Sequence, residues 1–167
     1  MARHIEIVLE KRGVACVARM LDHLAPRTCA AVWDALPRGG DVYHAKYARN
    51  EVYALVPAFA DPEPGTENPT ITPIPGDVAY FSFAPWQLAT SSHGYADDET
   101  PYRASRIVDL AFFYERNNLL LNPDYGFVPA NIFATIEDGL DEMAAACQDL
   151  WMTGVVGERL TYRRYER

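Results

Sequence analysis

The sequence is poor in cysteine, in basic charge and in long apolar runs. Its three cysteines, Cys16, Cys29 and Cys147, are too widely spaced for a CxxC redox or zinc pattern. An odd number without a secretory pattern is expected of a reducing compartment, with each thiol packed as a small hydrophobe. Asp and Glu total 23 against 15 Lys and Arg, a formal net charge of −8. That balance argues against a broad nucleic-acid surface, which basic charge would have to drive. The one basic cluster, Arg159, Arg163, Arg164 and Arg167, is mixed with Glu158 and Glu166 and reads as a solvated chain end. No apolar run approaches the ~18–20 residues of a membrane span. Met1 to His4 lead into the alternation Ile5-Glu6-Ile7 rather than into a leader's apolar segment. The expectation is a cytoplasmic protein with no nucleic-acid and no membrane partner. Also missing are GxGxxG, GxxxxGK[ST], HxH and HExxH, which leaves nucleotide cradling and motif-borne metal binding without support.

What is present describes a folded domain. The chain has 167 residues, 49% of them apolar, enough for a single domain with its own core. Residues 5–20 read as a hairpin of two strands. Ile5, Ile7 and Leu9 alternate with polar neighbours, Gly13 supplies the turn, and Val14 to Met20 return as a strand apolar enough for burial on both faces. Residues 26–36 read as a helix, with Pro26 in its first turn and Cys29, Val32, Trp33 and Leu36 on one face. Residues 42–56 read as two strands with a turn at Arg49-Asn50. Residues 57–70 carry too many prolines to pair. Pro75-Gly76 suits a type II turn, followed by a strand over 78–83. Residues 84–105 lack periodicity, hold Trp86, His93 and the acidic run Asp97-Asp98-Glu99, and read as a long functional loop. A further strand spans 106–114. A helix is expected over 136–152, where Thr135 and Asp138 imitate a capping box and Leu140, Met143, Ala144, Cys147, Leu150 and Trp151 form a stripe. A short final strand fits 160–162. Strands first with few helices predicts a mainly β or α+β antiparallel barrel.

The order and spacing of these pieces carry a resemblance. Ala25-Pro26-Arg27-Thr28 with Trp33 and Leu36 is similar to the first helix of cyclophilins. Asn50-Glu51-Val52-Tyr53-Ala54-Leu55-Val56-Pro57, then Pro75-Gly76-Asp77-Val78-Ala79-Tyr80, then Ala111-Phe112-Phe113-Tyr114, resemble successive motifs of a small bacterial cyclophilin-like family of unknown function. The resemblance covers about residues 5–136. It implies a closed, mostly antiparallel cyclophilin-like β-barrel capped by two helices, at about 26–36 and 136–152. It does not imply prolyl isomerisation. The cyclophilin Phe-His-Arg triplet is absent from Val42-Tyr43-His44-Ala45, Arg49 is only an approximate counterpart, and no Gln-Gly-Gly-Asp segment follows.

Candidate site residues come from the strand edge and the long loop. Side chains alternate along a strand, so Tyr43, Ala45 and Tyr47 share one face and His44, Lys46 and Ala48 the other. Tyr43, His44, Arg49, Glu51, Trp86 and His93 are expected to line a groove, with Arg49 holding a carboxylate or carbonyl through its fork of donors. The leading expectation is a binding module for a small molecule or short peptide. The rival is a small-metabolite enzyme using His44 or His93 as base. The pattern identifies no cofactor and demands no metal. The aromatic content (10 Tyr, 7 Phe and 3 Trp) leads us to expect a homodimer.

Overall fold

The computed structural model describes residues 2–88, 93 and 104–166. The strands are β1 (His4–Leu9), β2 (Val14–Met20), β3 (Arg38–His44), β4 (Glu51–Pro57), β5 (Pro69–Thr70), β6 (Asp77–Phe83), β7 (Ile107–Phe113), β8 (Leu121–Asn122), β9 (Gly126–Phe127), β10 (Ala130–Asp138) and β11 (Arg159–Tyr165). The helices are α1 (Pro26–Ala35) and α2 (Leu140–Thr153). Eight strands run in the order β2-β1-β11-β3-β4-β7-β6-β10, and β10 pairs back onto β2. Every pairing in this ring is antiparallel. The molecule is thus the closed antiparallel barrel that the cyclophilin-like motifs imply, with two helices among the described residues. Closure removes the exposed edges that an open sheet would have to protect.

The interior is filled by alternate residues of all eight strands. Ile5, Ile7, Cys16, Ala18, Val52, Ala54, Leu110, Phe112, Phe133 and Tyr162 belong to one buried cluster with Cys29 and Val32 of α1 and Met143, Cys147 and Leu150 of α2. A second cluster lies on the outer face of β4, β7 and β6. Tyr53, Leu55, Ala79, Phe81, Phe83, Ala111 and Phe113 meet Leu88, Leu120 and other loop residues there. All seven residues of β7 are therefore buried, because both of its faces are covered. By contrast β2 buries Cys16, Ala18 and Met20 and leaves Ala15 exposed, so it has one covered face rather than the two expected.

The turn at Pro75-Gly76 forms as expected. Gly76 sits at φ 93°, and the Asp77 amide donates to the Ile74 carbonyl at 3.1 Å. The second helix begins later than expected. Residues 136–138 complete β10, a nine-residue strand, and Thr135 pairs with Asp77 and Arg19 instead of capping a helix. Gly139 makes the joint at φ 78°, and a Cβ there would meet the Ala15 carbonyl at 2.8 Å. Two bulges in β10 hide it from a period-two reading. One places both Phe133 and Ala134 in the interior cluster. The terminal arginines are built into β11 rather than forming a loose end: Arg159 pairs with Asp41, Arg163 with Glu6, and Arg164 lies over Trp33. Arg167 and the run Asp97-Asp98-Glu99 lie outside the described residues, as does most of the 84–105 segment. Among the described residues, no helix is long and apolar enough to cross a membrane.

Candidate functional site

A cavity of about 80 Å³ opens on the outer face of β4, β7 and β6. That is several times the ~10–15 Å³ one water molecule requires. Tyr53, Phe81, Phe83, Leu88, Leu120 and Val128 supply apolar walls, and Glu51 and Asp109 supply two carboxyls. The local sequence dictates this arrangement. Alternation puts Glu51, Tyr53 and Leu55 on the outer face of β4, opposite Phe113, Ala111 and Asp109 of β7. Small Ala111 and Ala79 lie beside Tyr53 within the outer cluster.

Each carboxyl residue is only 6% exposed. Asp109 Oδ1 is buried and, among the described residues, has no hydrogen-bond partner. Among the described residues, no basic side chain is paired with either group. Burial pushes the Glu51 carboxyl from an ordinary 4.5 up to about 8. Burial, and secondarily the proximity of Glu51, push Asp109 well above the usual carboxylate range. Both follow from the cost of an ion in a poorly hydrated site.

His93, 7% exposed, also lines this cavity. Its Nδ1 lies 3.3 Å from the Tyr53 hydroxyl, and its ring meets Tyr43 edge-on at 5.3 Å. Tyr43 in turn packs against Tyr53 at 5.5 Å. Glu51 and His93 thus share the cavity, and Tyr43 packs against His93 and Tyr53 without lining it.

His44 is separated from them. It sits on the other side of β3, with its ring 4.9 Å from Trp151 of α2. Its Nδ1–H donates to the Ala45 carbonyl at 2.8 Å, so its Nε2 accepts from the Tyr114 hydroxyl at 2.7 Å. Desolvation lowers its pKa, and the imidazole is held neutral. Arg49 is exposed on the turn at φ 74°, and Trp86 is 67% exposed at φ 63°; neither lines the cavity. Because β3 ends at His44, strand alternation does not extend beyond it. Ala45, Lys46, Tyr47 and Ala48 all face the cavity from the turn.

Asp109 is the residue that sequence reasoning passed over. Its signal was legible, since it is a lone acid within Ile107-Val108-Asp109-Leu110-Ala111-Phe112-Phe113, a strand otherwise wholly apolar. Among the described residues, no group of three or more His, Cys, Asp or Glu side chains is placed to hold a metal ion.

A second cavity, of about 290 Å³, lies between the 63–66 loop, β6 and the start of β10. Most of its polar groups are already engaged. The Tyr80 hydroxyl donates to Glu63 at 2.5 Å, Arg106 donates to Ser82, and Asn131 bonds Thr28 and Gly65. Glu63 Oε1 is its one buried oxygen without a partner among the described residues. The first cavity therefore has the stronger unmet demand, with two deeply buried carboxyls.

A family model described as a protein of unknown function, DUF3830, matches residues 7–162. The chain belongs to that family. The match reaches every strand of the barrel and thus every strand that frames the two cavities. None of the curated proteins matches the chain. Among solved structures, the DUF3830 chain is similar to McbB in complex with tryptophan, with a TM-score of 0.67 at 16% identity. The likeness covers 98% of this chain and 45% of McbB. The chain thus spans less than half of that protein, and the likeness establishes the fold alone.

Proposed function

We propose that this protein binds a small organic molecule in the outer-face cavity, with the apolar part of the ligand against Phe81, Phe83 and Tyr53 and its hydrogen-bond donors at Glu51 and Asp109. The observation that carries the reading is the unpartnered Asp109 Oδ1 in a cavity wall. A buried acceptor without a donor costs about 1–3 kcal/mol, more for a charged group. A ligand that supplies the donor recovers that cost. An apolar pocket with a few convergent polar groups is the usual form of a small-molecule site. McbB, a protein of the same fold, was solved with tryptophan, which supports the reading that this architecture accommodates a small organic molecule.

The test is a thermal-shift screen of amines, amino acids, carboxylic acids and sugars. A ligand at 100 times its Kd raises stability by ~2.7 kcal/mol. Binders are expected to stabilise the parent and to lose their effect in Ala48→Leu, which fills the cavity from the turn. Hits that stabilise Ala48→Leu equally would place the ligand elsewhere.

Glu51 favours a second reading, acid–base catalysis on the bound molecule. A carboxyl raised to about 8 exchanges a proton near neutrality, as a general acid or base must. Turnover of a screen hit, followed by NMR and lost in Glu51→Gln, is the expected outcome of that reading. Binding without turnover by the parent would leave a binding protein.

A further inference from the structure

We infer that the ligand of the outer-face cavity is a diamine, two ammonium groups joined by a short apolar chain, with one ammonium seated at Glu51 and the other at Asp109. This rests on the outer-face cavity being the ligand site. The positions of the two acids carry the argument. Glu51 stands opposite Phe113 and Asp109 opposite Leu55, so they lie four steps apart along the β4–β7 ladder. At ~3.3 Å per residue their Cα positions are separated by roughly 13 Å along the strands. Their side chains close part of that distance, since Asp109 still feels the charge of Glu51. They mark two ends of one cavity, with Tyr53 and Ala111 at the step between them.

Between the ends the wall is apolar and aromatic, with Tyr53, Phe81 and Phe83. A methylene chain suits that wall, and aromatic faces attract flanking ammonium charge. The ends can take cations, because among the described residues neither carboxyl has a basic partner and Asp109 Oδ1 has no donor. Neutral donors would satisfy the hydrogen bond of a protonated carboxyl, whereas an ammonium pairs with the carboxylate as its proton leaves. Two ammonium groups serve both ends.

The protonation balance is explicit. Near neutrality Glu51 holds its proton, and burial pushes Asp109 in the same direction. An ammonium that seats at the Glu51 carboxylate displaces that proton to solvent, Asp109 gives up any proton it holds in the same way, and no other bond changes. Among the described residues, Lys46, Tyr47, Tyr53, His93 and Tyr125 are the other titratable groups that face this cavity.

The experiment is isothermal titration of the intact protein with 1,3- to 1,6-diaminoalkanes, the matched diols and the matched monoamines. Titrations are run in buffers of different ionisation heat at pH 7 and pH 8.5. The expected result is one diamine length that binds best, at least tenfold tighter than its monoamine and its diol. Binding should release protons at pH 7, release fewer at pH 8.5, and weaken at least tenfold in both Glu51→Gln and Asp109→Asn. Diols that bind as tightly as diamines, or diamine binding indifferent to both substitutions but abolished by Ala48→Leu, would overturn the diamine assignment and leave the cavity as the ligand site. Diamine binding unaffected by Ala48→Leu would overturn both. No diamine binding at millimolar concentration would overturn the assignment, and any other ligand lost in Ala48→Leu would then keep the cavity reading alone.

Discussion

A carboxyl buried without a cation must either stay protonated or destabilise the fold, and Glu51 shows which applies at each pH. The unfolded chain releases this proton near pH 4.5, whereas the folded protein keeps it to about pH 8. Between those values the native state holds more protons, so stability falls as pH rises across that window and levels off above it. Each pH unit crossed within the window costs ~1.4 kcal/mol, so the whole loss is of the order of a few kcal/mol. Urea denaturation of Glu51→Gln at pH 5, 6, 7 and 8 is expected to give a flatter profile than the parent, with the variant the more stable at pH 8. A parent profile as flat as the variant's would mean that Glu51 is well hydrated. At this scale the sequence was partly legible. Glu51 and His93 could be proposed as neighbours from motif and loop. Asp109 could have been found only by asking why one acid interrupts an apolar strand. His44 went to the other side of the sheet because adjacent strand residues face opposite ways, and the hydroxyl of Tyr114 satisfies its accepting nitrogen.

The elements depend on partners distant in sequence. Helix α1 has no side-chain cap of its own. Glu67, from the proline-rich segment, accepts the Arg27 and Thr28 amides and the Thr28 hydroxyl instead. Asn131 of β10 accepts the Glu67 and Asn68 amides and donates to Thr28 Oγ1, so helix, loop and barrel share one hydrogen-bonded joint. Glu67→Ala is expected to lower stability by about 1–2 kcal/mol, the usual cost of a lost N-cap, measured by chemical denaturation; a change below ~0.3 kcal/mol would show that water replaces the carboxylate. No sequence window contains this joint, since cap and helix lie some forty residues apart. The same limit explains the second helix. Thr135 to Asp138 suit a strand as well as a first helical turn, and pairing with β2 and β6 decides for the strand. The hairpin of β1 and β2, helix α1 and strands β4, β6 and β7 were legible because each carries its own periodicity or turn residues.

For the whole molecule, closure makes β7 the most enclosed strand, packed against the interior on one face and the outer cluster on the other. Native-state hydrogen exchange is expected to find the β7 amides exchanging only by global unfolding. The small β8–β9 hairpin, where Leu121 and Phe127 are exposed, should open locally. Subglobal exchange of β7 would show that the outer layer detaches without unfolding the barrel. The motif order implied the barrel. It could not reveal that loop residues such as Leu88 and Leu120 cover the outer face of β4, β7 and β6, which is what turns a strand surface into a cavity.

The central claim is that Glu51 and Asp109 are the polar anchors of a ligand cavity. It is tested most directly by NMR of the side-chain carboxyl carbons, in protein carrying ¹³C-labelled Asp and Glu, titrated with the strongest hit of the thermal-shift screen. The account predicts that the Glu51 and Asp109 resonances, assigned through Glu51→Gln and Asp109→Asn, move first and furthest, and that Glu51 in the free protein titrates near pH 8. A ligand that moved Glu63 of the second cavity while leaving Glu51 and Asp109 unchanged, with both titrating near pH 4, would contradict it.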